Sequence, residues 1–165
     1  MSSPHLRLAL CLALLIPAAA SAEQRQEPVQ ISADQGRFEQ DRGRGHYRGN
    51  VEMIQGDRTL YADEVELIMR DGELRRVEAI GTPVRMKEAD FLESHADKLE
   101  YDLSRRTVIL IGNAYIRHQG NTFEGARVEY NMDTRQVDAS GEGEQRVRLV
   151  IPAESQNRGG SSNQQ

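Results

Sequence analysis

The 165-residue chain carries one cysteine, Cys11, no tryptophan, three Phe and five Tyr. A single cysteine excludes a Cys-ligated metal domain and an internal disulfide scaffold. Basic residues are outnumbered, with 21 Lys+Arg against 26 Asp+Glu and a net charge of −5. A general nucleic-acid binder would carry the opposite excess. No apolar run approaches the roughly 20 residues that span a bilayer as a helix. No stretch beyond Ala22 shows a helical period. The length suits one domain and excludes a multidomain enzyme.

The beginning of the chain reads as a targeting segment. Met1 to Arg7 is a short basic start, residues 8–16 (LALCLALLI) are unbroken apolar, and Pro17 ends the run. Ala20-Ser21-Ala22 then supplies a small-residue cleavage site before Glu23. Residues 1–22 are expected to be a cleaved secretory signal peptide. A lipoprotein reading fails, because Leu10 precedes Cys11 and the cysteine lies mid-run. The remainder, Glu23 to Gln165, has no cysteine and a net charge of −6, since Arg7 leaves with the leader. About a fifth of it is Leu, Ile, Val or Phe. This lies near the compositional border of disorder, so the pattern has to decide. Residues 23–27 are expected to be a flexible N-terminus, 28–152 a folded domain, and 153–165 a disordered polar tail.

The pattern is a fourfold repeat. Ala33-Asp34, Ala62-Asp63, Ala96-Asp97 and Gly125-Ala126 open four similar segments, at spacings of 29, 34 and 29. Gly49, Gly81, Gly112 and Gly141 follow them at offsets of 16, 19, 16 and 16. A period of this size signals stacked supersecondary units. Within the copies the period is two. Val65, Leu67 and Met69 alternate with Glu64, Glu66 and Ile68. Leu99, Tyr101 and Leu103 alternate with Lys98, Glu100 and Asp102. Val128, Tyr130 and Met132 alternate with Arg127, Glu129 and Asn131. Alternation puts one set on one sheet face and the charges on the other. Turn residues at Asp71-Gly72, Ser104-Arg105-Arg106 and Asp133-Thr134-Arg135 send the chain back as strands over 47–53, 76–86, 107–116 and 136–147. A glycine inside a strand marks a bulge or bend. Repeated at one level, it would bend the sheet along a line. The expected fold is all-β: an open, twisted β-trough of stacked antiparallel hairpins with an apolar interior. A β-sandwich of the same strands remains open.

Such a stack ends in two edges. Val29 and Ile31 share a face of the first, and Val147, Leu149 and Ile151 share a face of the last. Both read as regular strands, a form that invites pairing with another chain.

Chemistry is sparse. His46, His95 and His118 lack metal-ligand spacing and are expected to be solvent-exposed. No serine sits in a G-x-S-x-G elbow, and Gly43-Arg44-Gly45 lacks the setting of a phosphate loop. The carboxylates alternate along strands as on a solvated face. No catalytic residue, metal or cofactor is expected. The basic residues are lopsided, 19 Arg to two Lys, with a cluster at Arg37, Arg42, Arg44 and Arg48 and pairs at Arg75-Arg76 and Arg105-Arg106. Arginine suits bidentate contact with phosphate or carboxylate head groups at a groove margin. Composition bias gives the same count.

The order of these segments resembles the OstA-like (LptA) family of periplasmic lipopolysaccharide-transport proteins. The resemblance is carried by Pro28-Val29-Gln30-Ile31-Ser32-Ala33-Asp34, Tyr47-Arg48-Gly49-Asn50-Val51 and Tyr61-Ala62-Asp63-Glu64-Val65. It continues through Gly81-Thr82-Pro83-Val84, His95-Ala96-Asp97-Lys98-Leu99-Glu100-Tyr101 and Leu110-Ile111-Gly112-Asn113-Ala114-Tyr115, up to Pro152. It implies a twisted, incomplete β-jellyroll that joins end to end. An LptC-like periplasmic domain would stand at one end of the array and the N-terminal domain of LptD at the other. The lipid A acyl chains of lipopolysaccharide would pass through a continuous apolar groove. By position, the resemblance puts Val29, Ile31, Met86, Tyr101 and Leu103 on the groove lining. Alternation adds Phe38, Val65, Leu67, Leu99, Val128 and Tyr130. One segment departs from the family pattern: residues 40–45 (QDRGRG) are charged where a more apolar run is expected, which blurs the first strand boundaries. A non-enzymatic envelope scaffold or glycan-binding β-array with a dry core is the competing expectation.

Overall fold

A computed structural model describes residues 27–153. The expected leader, most of the 23–27 segment and the tail beyond Ala153 lie outside the described residues. Ten strands and one short 3-10 turn make up the described chain. They are β1 Val29–Ser32, β2 Gln35–Glu39, the turn Gln40–Arg42, β3 Arg44–Gln55, β4 Arg58–Arg70, β5 Glu73–Glu88, β6 Leu92–Asp102, β7 Thr107–His118, β8 Asn121–Asn131, β9 Gln136–Ser140 and β10 Arg148–Val150. All belong to one unclosed sheet, and every pairing is antiparallel. β1 and β2 both pair with β3, and β9 and β10 both pair with β8. The sheet is therefore a meander whose first and last strands are each interrupted once.

Local chemistry explains the reversals. Asp71-Gly72 and Gln119-Gly120 put two successive residues at positive φ, as a two-residue hairpin turn matching strand twist requires. Gly43, at φ +59, closes the 3-10 turn, and a Cβ there would lie 2.7 Å from the Met69 carbonyl oxygen. The charged segment 40–45 is thus a tight reversal between β2 and β3.

The glycine landmarks mark a fold line. Register shifts interrupt the β3–β4, β4–β5, β5–β6, β6–β7 and β7–β8 ladders at one level, where 49–50, 62–63, 81–83, 96–97 and 112–113 lie side by side. Gly49 and Gly112 have φ of +78 and +76, each followed by an Asn also at positive φ. An aspartate from the preceding segment latches each step. Asp34 accepts from Asn50 Nδ2 at 2.8 Å, and Asp97 accepts from Asn113 Nδ2 at 3.0 Å. Asp63 accepts from the Thr82 backbone N–H and hydroxyl, both at 3.1 Å. Extra residues on one strand bend it and sharpen its twist. Five such irregularities in line fold the single sheet into two leaves, in place of a sandwich of separate sheets.

Gly141 departs from the expected pattern. It follows the end of β9, and residues 141–147 leave the ladder through a small turn bridged at Glu142 and Gln145. The expected continuous strand over 136–147 is broken for a physical reason. Among the described residues this last strand has a partner on one side only. Gly141 packs on the Gln145 carbonyl, and Gln145 Nε2 takes over a hydrogen bond to the Gly125 carbonyl at 3.0 Å.

Candidate functional site: the apolar trough and its mouth

The leaves face each other across rows of side chains that cross every strand. In the first leaf one inner row runs Ile31–Met53–Leu60–Met86–Ser94–Ile116–Phe123–Leu149. In the second it runs Phe38–Gly45–Leu67–Val77–Tyr101–Val108–Tyr130–Val137. A neighbouring row holds Tyr47, Val65, Ala79, Leu99, Leu110, Val128 and Ala139. The central members of all three are buried. A sheet open on both faces would leave one set wet, so this burial requires the leaves to cover one another. The outer face carries cross-strand ion pairs instead. Lys98 bridges Glu78 and Glu100 at 3.3 and 2.7 Å, and Arg48 meets Glu64 at 3.1 Å.

Of the sequence-predicted lining set, Val65, Leu67, Met86, Leu99, Tyr101, Leu103, Val128 and Tyr130 lie in this buried interior. Val29 and Ile31 pack partly buried against it. Phe38 lies in an inner row but at its first position, and is 52% exposed because, among the described residues, β2 pairs only with β3. Leu149 closes the opposite end of an inner row and is half exposed. Val147 and Ile151 are also half exposed, but they fall outside the three-residue β10. The regular last edge strand expected around them is therefore short. Sequence reasoning did not single out Val51, Met53, Leu60, Val77, Val108, Leu110 or Ile116, which lie in the buried interior beside the predicted set. The same period of two, read along the return strands, would have found most of them.

The mouth of the trough lies between two rims of turns: 56–57, 89–91 and 119–120 on the first leaf, 71–72, 103–106 and 132–135 on the second. Two polar contacts span it. Arg58 donates to the Tyr101 hydroxyl at 3.1 Å, lies over its ring at 5.2 Å, and donates twice to Glu88 Oε2 at 3.1 and 2.9 Å. Further along, the Tyr130 hydroxyl and His118 Nε2 are 3.2 Å apart. A cavity of about 680 Å³ lies beside Arg58, Arg75, Glu88, Tyr101 and Leu103. A second, of about 420 Å³, lies beside Glu88, Arg106, His118, Tyr130, Met132 and Arg135.

His118 corrects an expectation: it is 7% exposed, not solvated, because its register partners Leu92 and Asn121 place it on the inner face. Burial, then the nearby Arg135 charge, pulls its pKa below the usual histidine value. Burial also raises the Tyr130 pKa. The second rim is rich in arginine: Arg75 and Arg106 of the sequence pairs line these cavities, whereas Arg105 lines neither.

Among the described residues no group of three or more His, Cys, Asp and Glu is placed to hold a metal ion, and no helix is long and apolar enough to cross a membrane.

Known proteins share both the sequence and the fold. The sequence profile of the family described as LptA/(LptD N-terminal domain) LPS transport protein matches residues 30–136. The lipopolysaccharide export system protein LptH of Pseudomonas aeruginosa is 27% identical over 128 residues, covering 74% of this chain and 73% of its own. The export system protein LptA of Escherichia coli K12 is 26% identical over 154 residues, covering 89% and 83%. That of Haemophilus influenzae is 27% identical over 159 residues, covering 89% and 92%. A crystal structure of Pseudomonas aeruginosa LptH is described as the LptA-homologous periplasmic component of a conserved lipopolysaccharide transport device. It superposes with a TM-score of 0.72 at 24% identity, covering 76% of this chain and 96% of that one. That likeness is one of fold.

Proposed function

Because the chain belongs to the LptA/(LptD N-terminal domain) lipopolysaccharide-transport family, we propose that it is a periplasmic carrier of lipopolysaccharide whose trough shields the acyl chains. The observation that carries this reading is the continuity of the inner rows. They run apolar across nearly the whole sheet and, among the described residues, end at both edges in members that are only partly buried, Ile31 and Val137, or exposed, Phe38 and Leu149. A dry core would normally be capped at its ends; among the described residues no element covers these.

The energetics agree. Each buried CH₂ contributes roughly 0.8 kcal/mol, so a twelve-carbon chain gains about 9 kcal/mol gross on leaving water. A lining of similar side chains along the whole path lets a lipid move without crossing a comparable barrier at each step. No bond is made or broken, so the reading needs neither catalytic group nor cofactor. The open edges of β1 and β10 supply unpaired backbone groups for a partner strand. An end-to-end array of copies, bounded by an LptC-like domain and the N-terminal domain of LptD, would lengthen the trough into a bridge between the membranes.

Complete burial of Val77 and Leu110 favours one competing reading, a scaffold with a permanently dry core. Photocrosslinking to lipopolysaccharide separates the two, with the probe at Tyr101 on the inner face and at Glu100 on the outer face. Crosslinking at 101 and none at 100 is the expected result. Silence at 101 in folded protein would leave the scaffold.

A further inference from the structure

The smaller cavity at the mouth has a composition that acyl shielding alone does not require. We propose that it is a phosphoryl-binding site for the head group of the carried lipid, formed by Arg106, Arg135, His118 and the Tyr130 hydroxyl. This rests on the lipid-carrier reading and adds a polar anchor to it.

Charge is the first argument. Among the described residues, Glu88 is the only carboxylate lining the cavity, and its Oε2 already accepts two hydrogen bonds from Arg58. Arg106 engages Asp133 through Nε, which leaves the rest of its guanidinium fork for another acceptor. Arg135 has no ion pair among the described residues, although 15 such pairs occur there. The cavity therefore holds uncompensated positive charge in a protein of net −5. Two planar forks beside one space suit a tetrahedral oxyanion, which takes bidentate contacts.

Backbone placement is the second. Arg106 and Arg135 occupy matching turns one repeat apart, at φ +50 and +58. Glycine or asparagine fits the left-handed region with less strain. Two successive hairpins nevertheless put arginine there, on the same rim and facing the same cavity.

The floor is the third. Met132 and Tyr130 line the cavity, and Tyr130 belongs to the inner row that continues through Val108 to Tyr101. A phosphoryl group held at the mouth thus stands directly above the start of the apolar path. Held there, it would set the depth to which attached chains reach.

The test compares lipid A in detergent micelles with its dephosphorylated form, using the mature chain and its Arg106→Gln/Arg135→Gln double variant. Arg105→Gln, on the same turn but outside the cavity, is the control. The wild type is expected to bind the phosphorylated form about tenfold more tightly, as charge-assisted hydrogen bonds imply. The double variant should lose that preference and keep its affinity for the dephosphorylated form, while Arg105→Gln changes neither. Equal binding of both lipids by the wild type, or a preference that survives in the folded double variant, overturns the head-group site and leaves the carrier reading standing. Failure of folded wild type to load either lipid overturns the carrier reading, and the head-group assignment with it. Millimolar inorganic phosphate provides a separate arm, read by the His118 imidazole resonances. A shift that disappears in the double variant supports phosphoryl recognition. The same shift without any lipid preference assigns the cavity to free phosphate instead.

Discussion

Gly49 and Gly72 have nearly the same φ, +78 and +77, but different surroundings. A Cβ on Gly49 would sit 2.5 Å from Asp34 Oδ2, whereas one on Gly72 would meet nothing within 4 Å. Gly72→Ala should therefore cost only the left-handed strain, about 1 kcal/mol. Gly49→Ala should cost about 2–3 kcal/mol, because the Asp34–Asn50 hydrogen bond is also displaced. Urea midpoints of the two variants measure the difference; equal midpoints would show that the Asp34 latch gives way freely. His118 carries a second expectation. Its folded pKa lies below its unfolded value, so once pH falls below about 6.5 the folded state binds fewer protons than the unfolded state does. Its contribution to stability is full above the unfolded pKa and is lost as pH drops through the folded one. A urea midpoint followed from pH 7.5 down to 5.5 should fall, and should fall less in His118→Gln. A parallel decline in both proteins would assign the effect to other groups.

At the scale of strands, the features legible in sequence are those set by local chemistry. Alternation placed Val65, Leu99 and Val128 on one face because a strand turns over every residue. The Gly landmarks located the fold line because few residues other than glycine accept the backbone angles found at Gly49 and Gly112. What stayed hidden depends on neighbours that the local sequence does not reveal. Phe38 has the right face but, among the described residues, no strand beyond it. His118 is buried because of what lies opposite. Gly141 matches its counterparts in spacing, yet it sits on the last strand, where one missing partner lets the chain leave the ladder. The same dependence makes the ends sensitive to charge. Leu149→Asp or Ile31→Asp puts a carboxylate on an inner-row position at an edge, exposed at Leu149 and partly buried at Ile31. Each should weaken self-association or partner binding while leaving the monomer folded, since neither belongs to the fully buried set. An unchanged oligomer distribution in sedimentation would argue against pairing through these edges.

The whole molecule is a meander in which each strand touches mainly its neighbours in sequence, so its stability approximates a sum of nearest-neighbour terms. Protection from hydrogen exchange should rise from β1 and β2 to a maximum in β5, β6 and β7, then fall toward β9 and β10. Uniform protection across the sheet would mean a single cooperative unit. The terminal strands also differ from one another. Only Ala33 and Asp34 separate β1 from β2, whereas the longer segment 141–147 separates β9 from β10. A twofold axis needs the same surface on both sides of a contact, and these two edges are not the same surface. Any junction of the first edge of one copy with the last edge of another is therefore heterologous. Such an array has a direction, does not close on itself as a dimer, and presents unlike faces at its two ends, each of which must be met by a different terminator.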